Sequence, residues 1–294
     1  MTQPGAMPRA LHLRETSIFN RYRNGLSDLA SYETNIVHSF VCYDWQARLT
    51  IAEGHRVLSE ALSLVPIPPD IATVTYEREG KDYLVRNFNR MKIIDKKEWS
   101  SVGYLWKRDA KSLDYKIEMG VDLLQRCVNL HIDEGAVEDP EYLWNRVVWF
   151  LSERIGPTYA IGYSMPYFWG PHYFARAIGS SRYATADRTF YGPPDELRRR
   201  NYEFSETFFK RDRSILRTHI RDLFGFNLLC RSHLDYRIDG VPLSDWIVKT
   251  STGRLAPYTE GCWLWTLTDE EIRRARPILV AAKFSIVGQN PWKH

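Results

Sequence analysis

The amino-acid sequence predicts an α+β fold in which a mainly antiparallel sheet is packed by helices. Short runs of β-forming residues follow one another closely, as in ATVTYEREGKDYLV around Gly80, and this pattern is typical of hairpins. Two helices carry clear N-terminal capping residues, Asp139 and Thr268. Helices alternate with these hairpins along the chain, which favours the α+β class.

Length and composition are those of a folded globular protein. The chain has 294 residues, of which 44% are hydrophobic and 26% are charged, unlike the composition of disordered chains. Residues 1–30 lack hydrophobic periodicity and are predicted to form an N-terminal arm. We expect a single domain over residues 31–294, with two similar halves, about 31–165 and 190–294, as the alternative division.

Cysteine usage and hydropathy predict a cytoplasmic location. Cys42, Cys127, Cys230 and Cys262 are far apart and show no CxxC spacing, which is typical of a reducing compartment. The first residues contain no apolar run long enough for a signal peptide, and no segment has the length of a membrane span.

The first half of the chain predicts one helix followed by several strands. In WQARLTIAEGHRVLSEALSLVP we expect a short strand through Leu49 and Ile51, a turn at Gly54 and a helix that ends before Pro66. A hairpin in ATVTYEREGKDYLVRNF follows, and SSVGYLWKRD, LDYKIEMG and VNLHID are further strands.

Helices are predicted over residues 140–155, 193–212 and 269–282. Between the first two, TYAIGYS alternates like a strand, and GYSMPYFWGPHYFARAIG continues as a strand end, a turn at Gly170 and a short helix. After the second, IRDLFGFNLLC, RLAPY and CWLWTL are predicted strands, with a helix in GVPLSDWIVK. The third is expected to kink at Pro277, and FSIVG is predicted as the last strand.

Catalytic motifs are lacking in the sequence. It contains no P-loop, dinucleotide-binding glycine pattern, HExxH or GxSxG. His131 and Asp133 share one face of a predicted strand and are candidates for acid–base chemistry or metal binding. A strand that leaves the sheet, an acidic loop and a capped helix account for the same residues, so the sequence predicts no catalytic residue, cofactor or metal site.

Two clusters are candidates for partner binding. Six aromatic rings lie between Tyr163 and Phe174, where the chain turns at the end of a strand, and both a core and an exposed patch fit them. Arg198, Arg199 and Arg200 follow on the polar face of a predicted helix. We expect the partner-binding residues to be Phe168, Trp169, Tyr173, Arg198, Arg199 and Arg200.

A basic segment raises nucleic-acid binding as an alternative. Residues 171–237 contain thirteen Lys and Arg against eight Asp and Glu, and aromatic residues are interleaved with the arginines. Phe204 and Phe208, however, fall on the apolar face of the helix, where they are not available to stack on bases. Nucleic-acid binding is therefore disfavoured.

Three segments carry a family resemblance: the strand at SVGY, the helix EYLWNRVVWFLSERI with the following GPTYAIGYS, and the strand at Asn227-Leu228-Leu229 before GVPL. In this order, across residues 45–270, the chain resembles the type VI immunity family, bacterial proteins that protect a cell against effectors of the type VI secretion system. The resemblance implies a cytoplasmic α+β protein that inhibits a toxin.

The leading functional interpretation is a non-enzymatic protein that binds and neutralises a bacterial toxin. The expected partner is the cognate toxin, self-association is a further expectation, and no membrane partner is expected. A nucleic-acid-associated protein, for example in phage defence, and an enzyme without a recognisable motif are the alternatives.

Overall fold

A computed structural model of the chain confirms the predicted α+β class. The parts that it describes are residues 35–45, 49–76, 82–85, 99–107, 115–123, 126–177, 195–210 and 213–289. Residues 1–30, predicted as an arm, lie outside the described residues, and the division into two halves stays a prediction.

Across these parts, ten strands form one sheet in which every neighbouring pair is antiparallel. In chain order they are β1 (Ile36–Trp45), β2 (Ile71–Tyr76), β3 (Asp82–Val85), β4 (Trp99–Lys107), β5 (Tyr115–Asp122), β6 (Cys127–Asp133), β7 (Pro157–Pro166), β8 (Phe226–Cys230), β11 (Arg254–Thr259) and β12 (Cys262–Thr266). A separate hairpin contains β9 (Arg237–Ile238) and β10 (Val241–Pro242). The order across the sheet is β11-β12-β8-β7-β1-β6-β5-β4-β2-β3.

Helices cover both faces of this sheet. They are α1 (Ile51–Leu62), α2 (Pro140–Ile155), α3 (Pro171–Ala175), α4 (Asp195–Lys210), α5 (Arg231–Leu234), α6 (Leu243–Thr250) and α7 (Asp269–Ala281), with 3-10 turns at Tyr167–Trp169 and Arg213–Arg217. α1 and α2 pack on the face to which Phe40 of β1 points. Residues of α3, α4, α6 and α7 pack with Val41 on the opposite face.

β1 lies at the centre of the sheet, between β6 and β7. Nine of its ten residues are buried, because helices cover it on both sides. Strands buried on both faces show a continuous apolar run instead of alternation. Polar residues in this strand therefore need internal partners, and His38 meets this need through a 2.9 Å hydrogen bond between its Nδ1 and Oγ of Ser164.

The three long predicted helices are confirmed, with ends that differ from the predictions by no more than two residues. Near the N-terminus, the predicted strand through Leu49 and Ile51 is wrong. The Thr50 hydroxyl accepts a hydrogen bond from the Glu53 amide, and the Glu53 carboxylate accepts one from the Thr50 amide, so a capping box begins α1 at Ile51. Gly54 lies inside this helix, where an added Cβ would come 3.1 Å from Cγ1 of Val121.

The predicted last strand in FSIVG is also wrong. Ser285 forms one isolated parallel bridge with Ile220, and Ile286 N donates to Ile220 O at 2.9 Å. The segment packs among the buried apolar residues on the face of the sheet to which Val41 points, which we call the second core. Its apolar character therefore arises from burial and not from membership of the sheet. The predicted strand IRDLFGFNLLC forms only from Phe226 onward, because apolar residues before Phe226 are likewise buried without pairing in the sheet.

Candidate functional site

The aromatic stretch after β7 contributes to the core and also to the surface. Tyr163, Trp169 and Phe174 are buried among the apolar residues of the second core, and Trp169 is 4% exposed. Tyr173 and the neighbouring His172 are half-buried. The prediction that Trp169 is an exposed anchor is therefore corrected: the 3-10 turn after Pro166 directs this ring into the core.

The turn between these residues depends on Gly170. Its φ is +70°, a left-handed conformation that glycine adopts without strain, and it lets α3 start directly after the 3-10 turn. Tyr173 packs over this glycine, since an added Cβ would come 3.0 Å from Cδ2 of Tyr173. The side chain of Phe168 lies outside the described residues, so its predicted role stays a prediction.

Arg221 joins α3 to α4. Its guanidinium carbon lies 4.0 Å from the ring centroid of Phe174 and 4.5 Å from that of Phe204. It donates hydrogen bonds to the Tyr43 hydroxyl and, at 2.7 Å, to Oδ1 of Asn201. Arg221 is 1% exposed, so these aromatic faces and hydrogen bonds replace water around a buried cation.

This junction brings together the two segments that sequence reasoning had selected. Tyr173 directly precedes Phe174 on α3, and Arg198 and Arg199 lie one and a half turns before Phe204 on α4. The predicted aromatic residue Tyr173 and the predicted arginines therefore lie on two helices that both pack against the buried Arg221. We call Tyr173, Arg198, Arg199 and Tyr202 the α3–α4 surface.

The three predicted arginines have different environments. Arg200 is 8% exposed and forms an ion pair with Asp222, which also accepts a hydrogen bond from Arg276 at 3.0 Å. Its prediction as a surface contact is corrected, because its position on α4 faces the body of the protein. Arg199 is exposed and pairs with Glu203 one turn later, and Arg198 is half-buried.

Tyr202 is a member of this surface that sequence reasoning missed. It is 54% exposed, and it follows Arg198 by four residues and Arg199 by three, so the three side chains share one side of α4. The signal was present in RRRNYEF, since Tyr202 and Phe204 cannot both face the core of an amphipathic helix. Phe204 is fully buried, as predicted.

A polar recess lies on the other side of α3. Tyr167, Pro171 and His172 form one wall, and Lys116, Glu118 and His131 of the sheet form another. Its space is small, about the size of one water molecule.

The carboxylate of Glu118 is the charged centre of this recess. Its Oε1 accepts hydrogen bonds at 3.2 Å from Nη2 of Arg176 and at 3.2 Å from Nδ2 of Asn129. Burial alone would raise the pKa of Glu118, but the charge of Arg176, together with the hydrogen bond from Asn129, outweighs burial and holds this pKa below its usual value. Glu118 is therefore ionised and paired.

In the part of the chain that the structure describes, His131 is hydrogen-bonded through one ring nitrogen only. Nδ1 of His131 lies 2.9 Å from Oγ of Ser39. Nε2 of His131 is buried and has no hydrogen-bond partner among the described residues. Nearby, the Tyr163 hydroxyl donates to the Pro171 carbonyl at 2.7 Å.

The recess differs from the acid–base pair that the sequence suggested. Asp133 accepts a hydrogen bond from the Gly135 amide at 2.9 Å and stabilises the turn after β6, as the structural interpretation of this segment predicted. Burial lowers the pKa of His131 to about 3, so the ring stays neutral at neutral pH. A base with so low a pKa is poorly matched to proton transfer near pH 7.

Two further observations bear on the kind of site. Within the described ranges, no group of three or more His, Cys, Asp or Glu side chains is placed to hold a metal ion. No helix in these ranges is long and apolar enough to span a membrane.

The chain matches no family model and none of the curated proteins. Among solved structures it is similar to a Pseudomonas aeruginosa protein described as the T6SS protein PA0821, where T6SS denotes the type VI secretion system. The TM-score is 0.48 and the identity is 9%, over 84% of this chain and 72% of the other. A likeness of this degree identifies neither a shared family nor a function.

Proposed function

We propose that this chain is a non-enzymatic cytoplasmic binding protein of the immunity type, which neutralises a toxin of a type VI secretion system by binding it through the α3–α4 surface. The observation that carries the proposal is the exposed Tyr202 beside Arg198 and Arg199, on a helix that Arg221 holds against α3. Tyrosine and arginine are over-represented among the residues that dominate the binding energy of protein interfaces.

The electrostatics of the recess support binding over catalysis. His131 is the acid–base candidate of the sequence, yet burial lowers its pKa to about 3 and keeps it neutral. The carboxylate of Glu118 is already held by hydrogen bonds from Arg176 and Asn129 inside the protein.

The arginines of the basic segment support a protein partner over a nucleic acid. Arg176 and Arg200 pair with Glu118 and Asp222, whose carboxylates are buried. Arg221 is enclosed by aromatic rings. Side chains that are committed in this way are not available to replace the counterions of a phosphate backbone.

The test uses the protein encoded by the neighbouring gene as the probe. We expect the two purified proteins to bind with a Kd of ~1 μM or below in isothermal titration calorimetry. In parallel, duplex and single-stranded DNA and RNA are titrated across a salt series. Salt-sensitive nucleic-acid binding at physiological ionic strength, together with no binding to the protein probe, would refute the proposal in favour of a nucleic-acid-associated function.

A further inference from the structure

The outer face of α2 carries a stripe of side chains that the core does not use. Tyr142, Arg146, Trp149 and Glu153 follow one another at spacings of four, three and four residues, which place them on one side of the helix. We call these four residues the α2 stripe. Tyr142 is 53% exposed and Trp149 is 41% exposed, whereas the opposite side of α2 is buried against the sheet.

The two charged residues of the α2 stripe have no ion pair among the described residues. The Arg146 guanidinium carbon lies 5.5 Å from the ring centroid of Tyr142, and Glu153 is exposed. The next arginine along the helix behaves differently, since Nη2 of Arg154 lies 3.1 Å from the Glu60 carboxylate. An unpaired cation and an unpaired anion therefore lie on either side of an exposed tryptophan.

This arrangement is complementary to itself. In a two-fold contact, each residue i that touches residue j of the other copy is matched by j touching i. Arg146 precedes Trp149 by three residues and Glu153 follows it by four. If two copies of α2 pack antiparallel with the axis near Trp149, Arg146 of each copy faces Glu153 of the partner subunit, while the two tryptophans cover each other.

We propose that the α2 stripe forms the contact of a two-fold dimer of this chain. Opposite charges placed symmetrically about an apolar centre fit a second copy better than an unrelated surface, because one stripe supplies both halves of each ion pair. A single helix stripe per copy covers less than the ~1,200–2,000 Å² of a standard stable interface, so we expect a weak dimer with a Kd of ~10–100 μM. This inference rests on α2 alone and does not depend on the proposed function.

Charge reversal tests the pairing directly. Sedimentation velocity across a concentration series is measured for the wild-type protein, Arg146→Glu, Glu153→Arg and the double variant. Each single reversal places like charges opposite each other twice and should weaken association by ~10-fold or more. The double variant restores opposite charges at both contacts and should associate within ~3-fold of the wild type.

Trp149→Ala removes the apolar centre and should also abolish association over the same concentrations. Val248→Ala, at an exposed residue of α6 on the other face of the sheet, is the control and should associate like the wild type. Circular dichroism verifies that each variant is folded. A wild-type protein that stays monomeric to ~300 μM, well above the expected Kd, would overturn the proposal. Single reversals without effect, or a double variant that does not recover, would also overturn it.

Discussion

The guanidinium of Arg221 is sandwiched between Phe174 of α3 and Phe204 of α4, with its carbon 4.0 Å and 4.5 Å from the two ring centroids. The side chain also bonds to Tyr43 in the central strand, so the two helices and the sheet meet at one cation. Residues that are far apart in sequence, Tyr173 and Tyr202, are thereby held by a common support. The α3–α4 surface is therefore expected to be rigid, which reduces the entropy lost on binding.

Arg221→Ala should lower the free energy of unfolding by ~3–5 kcal/mol, because it leaves a cavity between two rings and removes a donor from Tyr43 and Asn201. Urea unfolding measures this loss. Arg231→Ala is the control, since Arg231 is exposed and its pair with Asp235 should contribute less than ~0.5 kcal/mol. Equal, small effects of the two substitutions would mean that Arg221 does not hold the helices together.

Trp169→Ala and Tyr173→Ala should separate the core role from the surface role of the aromatic stretch. The first removes a buried ring and should cost ~3–5 kcal/mol of stability in thermal melts. The second truncates a half-buried ring and should cost ~1 kcal/mol while weakening partner binding. If Tyr173→Ala lowers the stability as much as Trp169→Ala does, Tyr173 belongs to the core and is not part of the α3–α4 surface.

The neutral His131 should make stability depend on pH. Its pKa is about 3 in the folded protein against an ordinary value of 6.5, so between these values the unfolded chain binds a proton that the folded chain does not. Its contribution is complete above pH 6.5 and is lost as the pH falls toward 3, at no more than ~1.4 kcal/mol per pH unit.

His131→Gln provides the measurement, by urea unfolding at several pH values from neutral to pH 4.5. The stability difference between the wild type and this variant should shrink as the pH falls, because only the wild type has this proton to take up on unfolding. A difference that stays constant over the range would contradict a buried, neutral His131. His233, whose pKa burial lowers to about 4, is present in both proteins and does not alter the comparison.

Local signals determined which elements could be predicted from the sequence. Asp139 accepts a hydrogen bond from the Tyr142 amide, and Thr268 forms a capping box with Glu271. The start of α2 and the start of α7 are therefore each determined by a sequence of four residues, which can be recognised without knowing the fold. β1 was not predicted, although IVHSFVCYDW is rich in β-forming residues. Its place in the centre depends on pairing with β6 and β7, which lie more than eighty residues away.

The site depends on contacts of the same long-range kind. Glu118 and Arg176 are 58 residues apart, and no spacing rule links them. Arg200 precedes Phe204 by four residues and shares its buried face, so helical periodicity alone distinguishes it from Arg199, whereas its partner Asp222 lies on another segment and could not be predicted. Periodicity placed Phe204 correctly, since the apolar face of a helix is a local property.

The most direct test of the α3–α4 surface compares two exposed residues in calorimetric titrations with the protein encoded by the neighbouring gene. Tyr202→Ala should weaken binding by ~30-fold or more, which corresponds to ~2 kcal/mol, without lowering the melting temperature. Val248→Ala, which alters an apolar residue on α6 that is 76% exposed, should bind like the wild type. Unchanged binding of Tyr202→Ala, or equal losses in both variants, would contradict a partner surface on α3 and α4.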